Sequence, residues 1–154
     1  MTNVLQLSDI QAQLKKSTPI SSPPQILAVS KLQSEEKIKA LYASGQRLFA
    51  ENYIQEALPK IENLKALDIE WHLIGHLQKN KAKFAVGNFA LIQSVDSLEL
   101  AQTINRIAES KGQTQKILLQ INIAEEESKG GFDVSTLLKV IPDLQMLSQV
   151  QVMG

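Results

Sequence analysis

Short runs of contiguous apolar residues alternate along this chain with stretches whose apolar residues recur every three or four positions, and that alternation leaves few folds open. The first run, Ile26 to Ser30, ends in Lys31. Apolarity without alternation suits a strand buried on both faces, as in parallel sheets. Ser34 then stands where a helix N-cap belongs, Glu35 and Glu36 favour the positive end, Ile38, Leu41 and Tyr42 follow at helical spacing, and Gly45 is the expected stop. The pattern predicts strands over Arg47 to Glu51, Ile69 to Ile74, Phe89 to Ser94, Lys116 to Ile123 and Gln149 to Met153. Helices are predicted over Tyr53 to Leu67, Leu77 to Val86, from an Asp96 or Ser97 cap to about Lys111, and over Val134 to Leu147 despite Pro142. Six strands separated by helices imply right-handed βαβ units and a parallel sheet, either a barrel or a doubly wound open sheet.

Residues 1–24 read as a helix capped by Ser8 and running to about Lys16, followed by a Ser- and Pro-rich connector from Ser17 to Pro24, in one domain spanning 1–154. A last strand with no helix after it would leave a sheet edge uncovered, so the sequence is expected to be incomplete. Its 154 residues, 44% hydrophobic, suffice for one core. Formal net charge is zero, which removes the electrostatic pull toward nucleic acid or anionic lipid. With no cysteine there is no disulfide framework, thiolate metal site or cysteine nucleophile. Gln11, Gln13, Lys15 and Lys16 interrupt any signal-like apolar stretch, and no run approaches the roughly 18 apolar residues of a membrane span, so a cytoplasmic protein is expected.

In parallel α/β sheets ligands bind beyond the carboxyl ends of the strands. The residues there are Lys31, Glu51 and Asn52, Gly75 and His76, Ser94 to Asp96, and Asn122 with the loop Glu125 to Phe132. An amine at the mouth of an apolar strand can lose hydration, drop in pKa and attack an aldehyde. The commoner reading is a lysine whose stem covers apolar surface while its ammonium reaches water. His72 and His76 would share a face on a helix, but on a strand they stand about 13 Å apart, so no shared metal is expected and His72 is expected to pair with a backbone group near a barrel interior. Gly130-Gly131, after Ser128-Lys129, fits either an anion-cradling loop or a plain βα turn. Glu125-Glu126-Glu127 reads as a solvated loop, and Trp71, Phe84 and Phe89 as core.

These strand ends fall in blocks that resemble the pyridoxal phosphate homeostasis proteins, the YggS or PROSC family. The blocks are Leu27 to Lys31, Phe49 to Ala57, Ile69 to Lys81 (IEWHLIGHLQKNK) and Ser94 to Ser97, with Leu119 to Ile123 running into Glu126 to Phe132. The resemblance implies a (β/α)8 TIM barrel of the alanine racemase N-terminal-domain type, here truncated after about six strands. It also implies pyridoxal 5′-phosphate held as a Schiff base on Lys31, with Asn52 beside the cofactor and His72 facing the interior. The function implied is vitamin B6 and amino-acid homeostasis by a carrier or regulator, not an enzyme. No protein partner is identified, and a monomeric complete protein is compatible with the sequence. The family's phosphate-binding segments would lie beyond Gly154, so the 154-residue chain alone is expected to bind cofactor poorly. Ala50 replaces a usual glycine, which would crowd the strand-two turn if φ were positive there, and Pro59 should end or kink its helix unless it starts a new turn. Two rival readings stand: a fold-type III racemase or decarboxylase, for which no tyrosine can be placed opposite Lys31, and a truncated fragment that binds nothing.

Overall fold

The computed structural model describes residues 7–17, 24–124, 126 and 130–154. Its strands are β1 (Ala28–Val29), β2 (Leu48–Glu51), β3 (Glu70–Leu73), β4 (Leu91–Val95), β5 (Gln115–Leu119) and β6 (Val150–Val152). The helices are α1 (Leu7–Ser17), α2 (Glu35–Ala43), α3 (Ile54–Asn63), α4 (Ala82–Ala85), entered through a 3-10 turn at Lys79–Lys81, α5 (Leu98–Ser110) and α6 (Val134–Gln145). Every neighbouring strand pair is parallel, and the strands lie in the order β1-β2-β3-β4-β5-β6. A doubly wound sheet reverses its strand order at a switch point; this one advances by one strand per βα unit, as a barrel does.

Register divides the sheet into two faces. Ala28, Phe49 and Trp71 are aligned on one, and so are Glu51, Leu73, Ile92 and Ile117. This is the helix side, where Phe49 and Trp71 stack with ring centroids 5.8 Å apart and the core closes over Leu100, Ala101, Ile104 and Ala108 of α5. The intervening positions, Val29, Ala50, His72 and Leu91, form the inner face. Val29 is 50% exposed there.

Several boundaries move from expectation for local reasons. Strand β5 ends at Leu119 rather than Ile123, since Ile121 leaves to bridge Phe132, with Asn122 N–H donating to the Phe132 carbonyl and Phe132 N–H to that of Gln120. The helix predicted over Leu77 to Val86 shrinks to the 3-10 turn and one turn of α4, stopped by Gly87 at φ +85°. Helix α3 ends at Asn63 instead of Leu67, yet it passes through Pro59, as α6 passes through Pro142. Ser8 lies inside α1 and does not cap it. Residues 18–23 of the expected connector lie outside the described residues, as do Glu125, Glu127, Ser128 and Lys129. Ala50 is an ordinary strand residue; among the described non-glycine residues only Leu32 has positive φ, so no crowding arises at Ala50.

Candidate functional site

Lys31 and Asn52 follow the carboxyl ends of β1 and β2, and His72 lies on the inner face of β3, level with Ala50. Val29 is aligned with Ala50, and the ladder continues through Ser30 N–H to the Ala50 carbonyl at 2.9 Å. Ser30 donates its hydroxyl to Glu51 Oε1 on the helix side, 2.7 Å away, and Lys31 follows β1 in a turn, beyond the strand ladder. Lys31 is exposed. His72 is level with Ala50, hence one layer deeper, roughly 6 to 7 Å below the mouth.

His72 is buried, and its partners are side chains rather than the backbone group expected for it. Nε2 is 3.1 Å from Glu70 Oε1, and Nδ1 is 2.8 Å from Gln93 Nε2. With both ring nitrogens engaged, His72 can offer a ligand only its ring surface. Asn52 is the reverse case: its Oδ1 is buried without a hydrogen-bond partner. It borders an open cavity of about 430 Å³ that also meets Gly75, His76 and Lys81. Gly75 is needed there by close approach, since a Cβ at this position would stand 2.0 Å from the Asn52 carbonyl oxygen. Ser94 Oγ donates to the Gly75 carbonyl at 2.6 Å, tying the ends of β3 and β4 together, and exposed His76 Nδ1 is 3.1 Å from Asp96 Oδ2. The histidines thus go to separate carboxylates.

At Gly131, φ is +139° and a Cβ would lie 2.7 Å from the Asn122 nitrogen. A Cβ on Gly130 would lie 3.0 Å from Asp96 Oδ2, and the Gly130 carbonyl accepts from Gln120 Nε2 at 2.7 Å. The paired glycines therefore allow close packing on the end of β5, next to a carboxylate that opposes an anion.

Sequence reasoning missed what lies beneath Lys31. Lys60 of α3 is 7% exposed, and its Nζ donates to the Ser30 carbonyl at 2.9 Å, Glu51 Oε1 at 2.8 Å and Glu56 Oε1 at 2.6 Å. Burial pulls the Lys60 pKa down, but hydrogen bonds to Glu51 and Glu56 and their charges outweigh it and leave the ammonium above the ordinary lysine value. The Lys60 hydrogen bond is the main cause holding Glu56 below the usual carboxylate range, against desolvation. Only the spacing of Glu56 and Lys60, four apart on one helix, was a visible signal of this network.

A family model described as "Alanine racemase, N-terminal domain" matches residues 5–154. A pyridoxal phosphate homeostasis protein of Synechocystis sp. is 44% identical over 135 residues, covering 86% of this chain and 62% of that protein. One of Pasteurella multocida is 33% identical over 160 residues, covering 100% and 69%. PipY of Synechococcus elongatus superposes with a TM-score of 0.87 at 42% identity without PLP, covering 97% of this chain and 69% of PipY; with PLP bound the TM-score is 0.83, at 41% identity and 97% and 68% coverage. The chain thus spans about three fifths of the length of the Synechocystis relative. By the family match across nearly its whole length and by these relatives, the chain belongs to the alanine racemase N-terminal-domain family and, within it, to the pyridoxal phosphate homeostasis proteins.

Proposed function

We propose that this chain binds pyridoxal 5′-phosphate through Lys31 and acts in vitamin B6 and amino-acid homeostasis as a non-catalytic carrier or regulator. The observation that carries the reading is the buried, unpartnered amide oxygen of Asn52, which follows β2, the strand paired with the one that leads into Lys31. A polar atom buried without a partner calls for a ligand group to bond it, and rotation of the amide lets Asn52 accept from or donate to a ring hydroxyl. When bound, the cofactor would supply an aldehyde open to attack by an amine, and Lys31 would be the residue that holds it, with Asn52 as a polar partner. For that, Lys31 must shed one proton and hold Nζ toward the inner face. His72 forms the floor beneath, kept in orientation by Glu70 and Gln93. The PLP-bound structure of PipY, 41% identical, supports the choice of ligand.

A racemase or decarboxylase would need a second acid–base group across the ring. Asn52 and Ile74, just beyond β2 and β3, do not titrate, His72 has both nitrogens engaged, and His76, on the cavity beside Asn52, is engaged with Asp96. The names of the relatives agree with a homeostatic role. Titration of pyridoxal 5′-phosphate into the chain should raise an absorbance band near the visible that Lys31→Ala abolishes. An undiminished band in that variant would rule out Lys31.

A further inference from the structure

Lys31 occupies the second position of a tight turn, closed by the Gln33 N–H donating to the Ser30 carbonyl at 3.1 Å. The third position is Leu32, at φ +59°, a left-handed conformation that leucine rarely adopts and glycine adopts freely. The Leu32 side chain is 81% exposed, so apolar burial does not stabilise this conformation. Polar contacts do. The Ser30 carbonyl accepts from Lys60 Nζ as well as from Gln33, and the Leu32 N–H donates to Glu56 Oε1 at 2.6 Å. The peptide groups on either side of Lys31 are thus held by one ionic network of Lys60, Glu51 and Glu56. A buried ion pair of this kind often adds little net stability over an apolar replacement, so its use is better sought in the conformation it specifies.

We infer that Lys60, acting with Glu56 and Glu51, is a positioning residue that clamps the Ser30–Gln33 turn and so aims Lys31 across the inner face. This inference rests on the cofactor role of Lys31, and its test separates the two. Glu56→Ala removes the acceptor for the Leu32 N–H while leaving the Lys60–Glu51 pair in place. Leu32→Gly removes the strain that the clamp opposes. In the full 154-residue chain without cofactor, the Leu32 amide should exchange with deuterium about tenfold faster in Glu56→Ala, the loss expected for one charge-assisted hydrogen bond. Affinity for pyridoxal 5′-phosphate, read from the absorbance band, should fall by about tenfold in the same variant. Adding Leu32→Gly to Glu56→Ala should recover most of that affinity, although the Glu56 contact stays absent, and a loss caused by weakened folding would not be recovered this way. Unchanged Leu32 exchange in Glu56→Ala overturns the clamp, as does an affinity loss that Leu32→Gly leaves unrepaired. If the unmodified chain shows no Lys31-dependent band, the cofactor reading falls, while the exchange rates still decide whether the clamp exists.

Discussion

Asn52 Oδ1 has been taken out of water and given nothing in return. An unsatisfied buried polar group costs about 1–3 kcal/mol, so Asn52→Ala should leave urea-unfolding stability within about 1 kcal/mol of the parent without cofactor, while weakening pyridoxal 5′-phosphate binding. A loss well beyond that without cofactor would mean the oxygen is already bonded in the fold. Under Lys31, the carboxylate of Glu56 is held below its ordinary pKa of 4.5 by the Lys60 hydrogen bond, so its contribution is complete above that value and lost as pH falls through the depressed one. Lys60 is raised above 10.5, so its contribution is complete below that value and lost as pH rises through the elevated one. The stability difference between the parent and Glu56→Gln should therefore be flat from about pH 5 to 9 and shrink in acid; a difference that grew in acid would contradict this pairing. The strand-end positions of Lys31 and Asn52 were legible in the sequence because each comes shortly after an apolar run. The role of Lys60 was not, because two of its three partners reach it across the fold, with Ser30 thirty residues away.

Elements were legible where the pattern was long and capped. Helix α5 is capped by Ser97, one of the two residues the sequence offered beside Asp96, with Ser97 Oγ accepting from the Leu100 N–H at 3.3 Å, and Ser97→Ala should cost about 1 kcal/mol in thermal unfolding without altering cofactor uptake. Strand ends were misread where apolar residues continue past the ladder: Ile121 and Ile123 extend the run of β5, but the chain has by then turned to meet Phe132. The segment after β3 was misread for the opposite reason. Its spacing is helical, but Gln78 is extended and Lys79–Lys81 form a 3-10 turn, so only the last turn of the expected helix is α. Gly75 matters at this scale because it lets β3 pass the Asn52 backbone. Gly75→Ala would drive a methyl into a carbonyl oxygen that no rotamer change can move, so a loss of about 1–3 kcal/mol and a displaced Asn52 are expected. Stability and cofactor affinity should fall together in that variant, unlike in Ser97→Ala.

Across the whole molecule, the two faces of one sheet divide the work. The helix side is sealed by Phe49, Trp71, Leu73, Ile92 and Ile117, which supplies the rigidity, and the inner face keeps Val29 exposed beside the strand-end residues. Alternating apolar runs and helical periods announced the parallel sheet but could not separate a barrel from a doubly wound sheet, because both are built from the same βαβ unit. Strand order settles it, and strand order is a property of packing that no local pattern encodes. Among the described residues no helix is long and apolar enough to cross a membrane. One lysine follows the first strand, which pairs with the strand leading to Asn52 and its unpartnered amide oxygen, and the proposed function stands on that lysine. The direct measurement is to mix the chain with one equivalent of pyridoxal 5′-phosphate, reduce with borohydride and map the labelled peptide by mass spectrometry. The label is expected on Lys31 ahead of every other lysine; label spread over the exposed lysines with no preference for Lys31 would contradict the account.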